Sequence, residues 1–452
     1  MRQIVILGNG VAGITAARHL RKRCDDEILV ISGESDHFFS RTALMYIYMG
    51  HMAYENTKPY EDHFWKENRI RLLRTWIQAI DTAQRQLLDA DGRQIPYDVL
   101  ILATGSKPNK FGWPGQDLDG VQGLYSLQDL ENMERYTRGI ERGVVVGGGL
   151  IGIEMSEMMH SRDIPVSFLV REKSWMERVF PAEESEMINQ EIRDNGIDLR
   201  LGTELDRIEG DEHGRAKAAV TKDGSTIPCQ FLGLTVGVSP NIEFVRSSGV
   251  ECDRGILVDD SLETSVPGVY AIGDCAQIRD PLPGRRPVEP LWYTGRMMGE
   301  TVARVLTGED LSYDPGTWFN SAKFFDLEWQ VYGKVPSQPD EGEGTLVWKD
   351  PGGKKLIRLN YLDEGERPVI GYQVMGIRYR HDVCQEWLDA RKPLRYVLEN
   401  LGVVNFDPEF YRQHEADLVE VYNRQFPGES LKLKRKRGLR NLFRLRRSER
   451  AA

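Results

Sequence analysis

The chain has 452 residues, 40% hydrophobic and 28% charged, enough for two or three domains with sizeable cores. Its net charge is −10, but residues 431–452 carry +9, which leaves −19 on residues 1–430. An acidic body argues against nucleic-acid binding, and no apolar run approaches the roughly 18 residues that a membrane span needs.

The five cysteines (Cys24, Cys229, Cys252, Cys275, Cys384) are scattered and form no C-x-x-C pair, so neither a disulfide framework nor a metal site is expected. The first residues enter a strand directly, with no apolar h-region or cleavage site, and a cytoplasmic, reducing setting is the expectation.

Ile4 to Leu7 meets Gly8-Asn9-Gly10-Val11-Ala12-Gly13, followed by a helical pattern to Cys24 and a second strand, Ile28 to Ile31. That is a βαβ unit, with parallel strands and a right-handed crossover. Gly8 allows the tight turn, Gly10 lets backbone approach a pyrophosphate, and Gly13 lets helix and strand pack closely. The helix start offers unpaired N–H groups to phosphates. Glu34 lies 21 residues after Gly13, near the spacing of a carboxylate that accepts ribose hydroxyls.

Strand-like stretches follow at Leu72–Ile80 and Tyr97–Ala103, then a turn-rich hinge from Ser106 to Gly115. The first grammar returns 139 residues on. Gly143–Val146 leads into Gly147, Gly149 and Gly152, a helix to about His160 and a strand, Val166 to Val170. Here Val170 occupies the place of a ribose-binding acid. Arg171 follows, 19 residues after Gly152, where it can receive the 2′-phosphate of NADP. Glu172 is adjacent, so a solvated surface arginine is the alternative. A second hinge follows Phe231–Val236, at Gly237-Val238-Ser239-Pro240-Asn241. Beyond Thr317, four short strand-like segments (321–325, 329–333, 344–348, 355–359) and a helical stretch, 383–391, read as a small α+β domain.

Two nucleotide units in one chain imply two cofactors that meet. On these residues the chain resembles the two-dinucleotide-domain flavoproteins that include glutathione reductase. Within them it is most similar to ferredoxin and rubredoxin reductases and to the flavin part of assimilatory nitrite reductases. The resemblance is carried by Gly8-x-Gly10-x-x-Gly13, Glu34, Arg41, Tyr97–Gly105, Gly147–Glu154 and Gly268–Asp274, over roughly residues 1–330.

It implies an α/β fold of two Rossmann-like domains plus a smaller α+β domain, with FAD in the first unit and NAD(P)H as hydride donor in the second. It divides the chain into an FAD-binding domain at 1–112 and 242–316, an NAD(P)-binding domain at 113–241, an interface domain at 317–430 and the basic tail. Arg41 would pair with the FAD phosphates and Ile77 would contact the adenine through its backbone. Ala103, Thr104 and Gly105 would mark the crossing between domains, and Gly273 with Asp274 would hold the ribityl or pyrophosphate region. Asp274 needs a hydroxyl donor or bridging water to sit beside a diphosphate. A helix starting near Thr294 would aim its amides at the flavin edge. Trp292 falls where ferredoxin reductases have a tryptophan near the flavin, and Gly237 lies in the second hinge.

Two departures from the family matter. Glu154, the acid expected near the nicotinamide, lacks its usual lysine partner because Tyr46 occupies that place, so its pKa should rise unless it finds another partner. Residues 35–60 contain no cysteine, and Cys275 lies at the wrong end of the cofactor for a redox relay. Electrons are therefore expected to leave from the flavin, to a ferredoxin- or rubredoxin-like protein, a quinone or dioxygen. The family uses the third domain for dimerisation or acceptor docking, so a homodimer is among the expectations. Leu439, Leu442 and Phe443 share a face among the tail's cations, which suits a membrane surface or an acidic partner, with a solubilising tail as the alternative.

Overall fold

A computed structural model describes residues 1–406 and 412–433. The amphipathic reading of 439–447 and most of the basic tail lie outside the described residues. The chain forms two compact units: Met1–Trp175 with Ile192–Gly316, and Met176–Glu191 with the residues from Thr317 onward.

In the first unit, Gln3–Leu7 pairs in parallel with Glu27–Ser32, in the register Gln3↔Glu27, and with Val99–Leu102 on its other side. Ile70–Arg74 and Val269–Ala271 complete a five-stranded parallel sheet. Its central strands are nearly continuous runs of buried Val, Ile and Leu, as a sheet covered on both faces requires. A second five-stranded parallel sheet takes the order 198–201, 166–170, 143–146, 231–234, 121–122. The chain leaves the first sheet after Leu102 and returns to it at Val269, which pairs beside Leu100.

Four helices place the site: α1 (Val11–Arg21), α2 (Leu44–Tyr48), α3 (Leu150–His160) and α4 (Trp292–Leu306). Helix α4 starts at Trp292, two residues earlier than the sequence reading. It lies close along α1 because Gly299 has no side chain. A Cβ there would sit 2.5 Å from the Ala12 carbonyl oxygen and 2.9 Å from Thr15 Cβ.

The second unit is a five-stranded antiparallel sheet, in the order 319–324, 327–333, 369–375, 356–362, 343–349, with helices His381–Asp389, Leu394–Asn400 and Glu415–Gln425. Val369–Met375 and the last two helices were not read from sequence. A buried arginine, Arg358, crosses from this sheet to the 182–191 segment. Its Nε donates to Glu184 at 2.6 Å and its Nη2 to Glu184 and Glu183, each at 2.9 Å. Among the described residues no helix is long and apolar enough to cross a membrane.

Candidate functional site

One cavity of about 750 Å³ opens in the first unit, within the range of small-molecule and cofactor sites. Gly8, Gly10 and the first turn of α1 line it, followed by Glu34, Arg41 and Ile77. Ala103, Thr104 and Gly105 contribute from the strand end, and Gly273 and Asp274 from the loop that follows Val269–Ala271. Trp292 and Gly295 of α4, and Ile151 and Glu154 of α3, line the cavity as well.

The glycine turn divides its labour as its spacing requires. Gly8 sits at φ +118°, and a Cβ on it would fall 2.0 Å from the Ala103 carbonyl oxygen. Gly13 is buried beneath the turn, where a Cβ would lie 2.1 Å from the Gly8 carbonyl oxygen. Gly10 is different: nothing lies within 4 Å of its Cβ position, so backbone is bare towards the cavity. No side chain caps α1 or α4. Both helices therefore bring open N–H groups and the positive ends of their dipoles to the same cavity, a fit for an anionic, diphosphate-bearing ligand.

Around this turn lies a polar network. The Arg41 guanidinium forks onto Glu34, with Nη1 at 2.8 Å and Nη2 at 2.6 Å from its two carboxylate oxygens. Nη1 also donates to the Tyr125 carbonyl. Glu34 takes a further bond from the Leu127 N–H at 2.9 Å. So the structure pairs the expected ribose acid with the expected phosphate arginine. Tyr125 lies under Arg41, its ring centroid 4.5 Å from the guanidinium carbon. Its hydroxyl donates to Asp274 at 3.3 Å and accepts the Ser106 N–H at 2.8 Å. The Ser106 hydroxyl also donates to Asp274, at 3.3 Å. Two protein hydroxyls thus donate to the Asp274 carboxylate. Burial pushes the Asp274 carboxyl above the usual carboxylate range, and these bonds pull against it.

The second glycine turn repeats the first. A Cβ on Gly147 would fall 2.5 Å from the Thr235 carbonyl oxygen and one on Gly152 2.2 Å from the Gly147 carbonyl oxygen, while Gly149 is open. Val170 packs on this loop, with Cγ1 2.7 Å from the Cβ position of Gly148. Arg171 is exposed, and its Nη2 pairs with Glu172 at 2.8 Å. Gly237, at φ +89°, leaves the 231–234 strand with its carbonyl bound by the Asn109 N–H. Gly147, Gly149, Gly152, Arg171 and Gly237 all lie off the cavity wall. Glu154 lies on it, and helix α2 packs against its helix. Tyr46 stacks on His51, with centroids 6.1 Å apart, and no ion pair engages Glu154 among the described residues. Burial, with Glu157 one turn on, raises its pKa to about 7.

Thr294 does not line the cavity. It is buried, and its hydroxyl donates to the Glu289 and Leu291 carbonyls, which fixes the entry into α4. Trp292 is 41% exposed on the rim and meets Tyr293 edge-on at 5.4 Å. Cys275 is fully buried, with its thiol against the Leu102 and Ile272 carbonyls and burial raising its pKa. Trp76, Ser106 and Tyr125 are among the lining residues that sequence reasoning did not assign to the site.

The sequence pattern described as pyridine nucleotide-disulphide oxidoreductase matches residues 2–299. The chain is 28% identical to the nitrite reductase [NAD(P)H] of Bacillus subtilis over 79% of this chain and 47% of that one. It is 26% identical to the assimilatory nitrate reductase electron transfer subunit of the same organism, over 83% and 51%. The chain thus spans about half the length of both relatives. The crystal structure of the ferredoxin reductase for the CYP199A2 system from Rhodopseudomonas palustris superposes with a TM-score of 0.75, at 26% identity, over 83% of this chain and 91% of that one. The chain belongs to the pyridine nucleotide-disulphide oxidoreductase family, whose members are oxidoreductases that work with FAD and a pyridine nucleotide.

Proposed function

We propose that this chain is an NAD(P)H oxidoreductase that passes electrons from bound FAD to a separate redox protein of ferredoxin or rubredoxin type. One observation carries the reading: the first turn of α1 and two residues of α3, Ile151 and Glu154, line a single cavity. FAD, when bound, accepts a hydride from NAD(P)H and passes the electrons on. The likeness to a ferredoxin reductase and to an electron transfer subunit supports a protein acceptor. Among the described residues no cysteine lines the cavity, which argues against a thiol relay.

The chain's own groups take these roles. Gly8, Gly10 and Gly13 shape the diphosphate cradle at the start of α1, and Glu34 accepts the ribose hydroxyls. Arg41 has two of its five N–H donors uncommitted among the described residues and reaches the phosphates with them. Ile77 borders the adenine, Ala103 to Gly105 and Gly273 shape the strand ends, and Asp274 binds the ribityl or diphosphate region. Trp292 and the α4 terminus set by Thr294 border the flavin edge. Gly147, Gly149 and Gly152 receive NAD(P)H, Arg171 and Gly237 flank it, and Glu154 positions the nicotinamide. In domain terms, 1–112 with 242–316 bind FAD and 113–241 bind NAD(P)H. The return of Val269–Ala271 to the first sheet supports that discontinuity. Residues 317–430 form the interface domain.

The decisive experiment is anaerobic stopped-flow mixing of the flavin-loaded protein with NADH and with NADPH. Bleaching of the flavin absorbance by either is expected, and a flavin inert to both overturns the reading. A second reading is favoured by the half-length match to the nitrate reductase subunit: the chain serves as the flavin-bearing part of a larger electron-transfer assembly. It predicts flavin reduction in isolation but no turnover with free ferredoxin or rubredoxin.

A further inference from the structure

An indole that is 62% exposed on a cavity wall asks for an explanation. Trp76 holds that position, and its ring rests on the α-carbon of Gly33. A Cβ at residue 33 would lie 2.3 Å from Cδ2 and 2.5 Å from Cε2 of the ring. Glycine at 33 therefore clears a seat for the indole. Gly33 and Glu34 follow directly on the 27–32 strand, so the ring and the carboxylate share one corner of the fold.

That corner is rigid. The Thr75 N–H bonds the Ser32 carbonyl at 3.0 Å and the Ala90 N–H bonds the Trp76 carbonyl at 2.8 Å. Fully buried Asp89 braces the adjoining turn. It accepts the N–H groups of Asp91 at 3.0 Å and Arg93 at 2.8 Å, and the Thr75 hydroxyl at 3.3 Å. A flexible surface tryptophan has no need of such anchoring. A preorganised platform does, because the ordering cost is met before the ligand arrives.

We propose that Trp76 is the stacking platform for the adenine ring, and that it makes this chain select FAD over FMN. The proposal rests on the reading that FAD occupies the first unit. Its chemistry is general: an aromatic face packs on the π-face of a base without needing matched hydrogen bonds. Trp76 lines the cavity together with Gly33 and Glu34, at the end where the ribose hydroxyls would be held.

Titration of the full-length apoprotein with FAD and with FMN, followed by quenching of flavin fluorescence, tests this. Trp76→Ala should weaken FAD roughly 5- to 150-fold, the range for losing one base-stacking contact, and leave FMN within about twofold. Trp76→Phe should recover most of the FAD affinity. Gly33→Ala, which pushes the ring from its seat without deleting it, should weaken FAD in the same sense, and the double variant should be no weaker than Trp76→Ala alone. An FAD affinity within twofold of wild type in Trp76→Ala overturns the proposal, as does an equal loss for FMN. A wild-type chain that takes up no flavin refutes instead the FAD reading on which the proposal rests.

Discussion

Glu154 offers the sharpest quantitative test of the site. Its carboxyl rises from an ordinary 4.5 to about 7 because burial disfavours the charge and Glu157 adds a second negative group. For an acid whose folded pKa lies above its unfolded one, the folded chain holds the extra proton between the two values. Stability must then fall as pH rises from about 4.5 to 7 and level off above. The full cost of carrying the carboxylate above pH 7 is about 3 kcal/mol, reduced to the extent that water reaches it from the cavity. Glu154→Gln removes the titration. The apoprotein variant should match wild type near pH 4.5 and gain steadily on it until pH 7 to 8, after which the difference is constant. Urea unfolding of both proteins from pH 5 to 9, monitored by tryptophan emission, measures this directly. A difference that does not change with pH, or a variant that loses stability relative to wild type as pH rises, refutes the assignment of an unpaired, partly buried carboxyl.

Three further outcomes are expected. Gly10→Ala meets open space and an ordinary φ of −70°, so thermal stability should change by no more than about 1 kcal/mol while FAD affinity, read by fluorescence titration, falls at least tenfold, on the order of 1.4 kcal/mol. Cys275→Ser should leave NAD(P)H-driven dye reduction by the holoenzyme within about twofold of wild type, or roughly 0.4 kcal/mol, because the thiol is fully buried and bonded to the Leu102 and Ile272 carbonyls. Arg358→Met leaves Glu184 buried and unpaired. It should cost about 3–5 kcal/mol, visible as a lowered thermal midpoint, and most of that loss should return in Arg358→Met with Glu184→Leu.

What could be read in advance divides along the range of the interactions. The glycine turns and the strand–helix–strand order are local features whose spacing carries their meaning, and they assemble as their spacing required, with Glu34 on the cavity wall. Tyr125 and Ser106 meet Asp274 across 149 and 168 residues, and no short-range pattern announces such a meeting. Val369–Met375 escaped notice because it is buried almost throughout, so the alternation that marks half-exposed strands is missing. Trp76 had a signal, an aromatic beside Ile77, but its exposure could be known only from the fold.

The α2–α3 junction shows how one local substitution propagates. With Tyr46 in place of the lysine expected from the family, the ring turns to His51 and supplies no positive charge. The arginine just beyond α3, Arg162, does not make up the deficit. Its Nε donates to the Tyr48 carbonyl at 2.9 Å and its Nη1 to Glu134 at 2.8 Å. Glu154 is thereby left uncompensated on the cavity wall, and its proton comes and goes near neutral pH. A carboxyl that exchanges its proton near neutral pH can either donate or accept a hydrogen bond on the cavity wall, and on the placement proposed for NAD(P)H its partner is the nicotinamide carboxamide. On that proposal the affinity for NAD(P)H should change between about pH 6 and 8 in wild type and lose that change in Glu154→Gln, as an equilibrium titration at each pH would show.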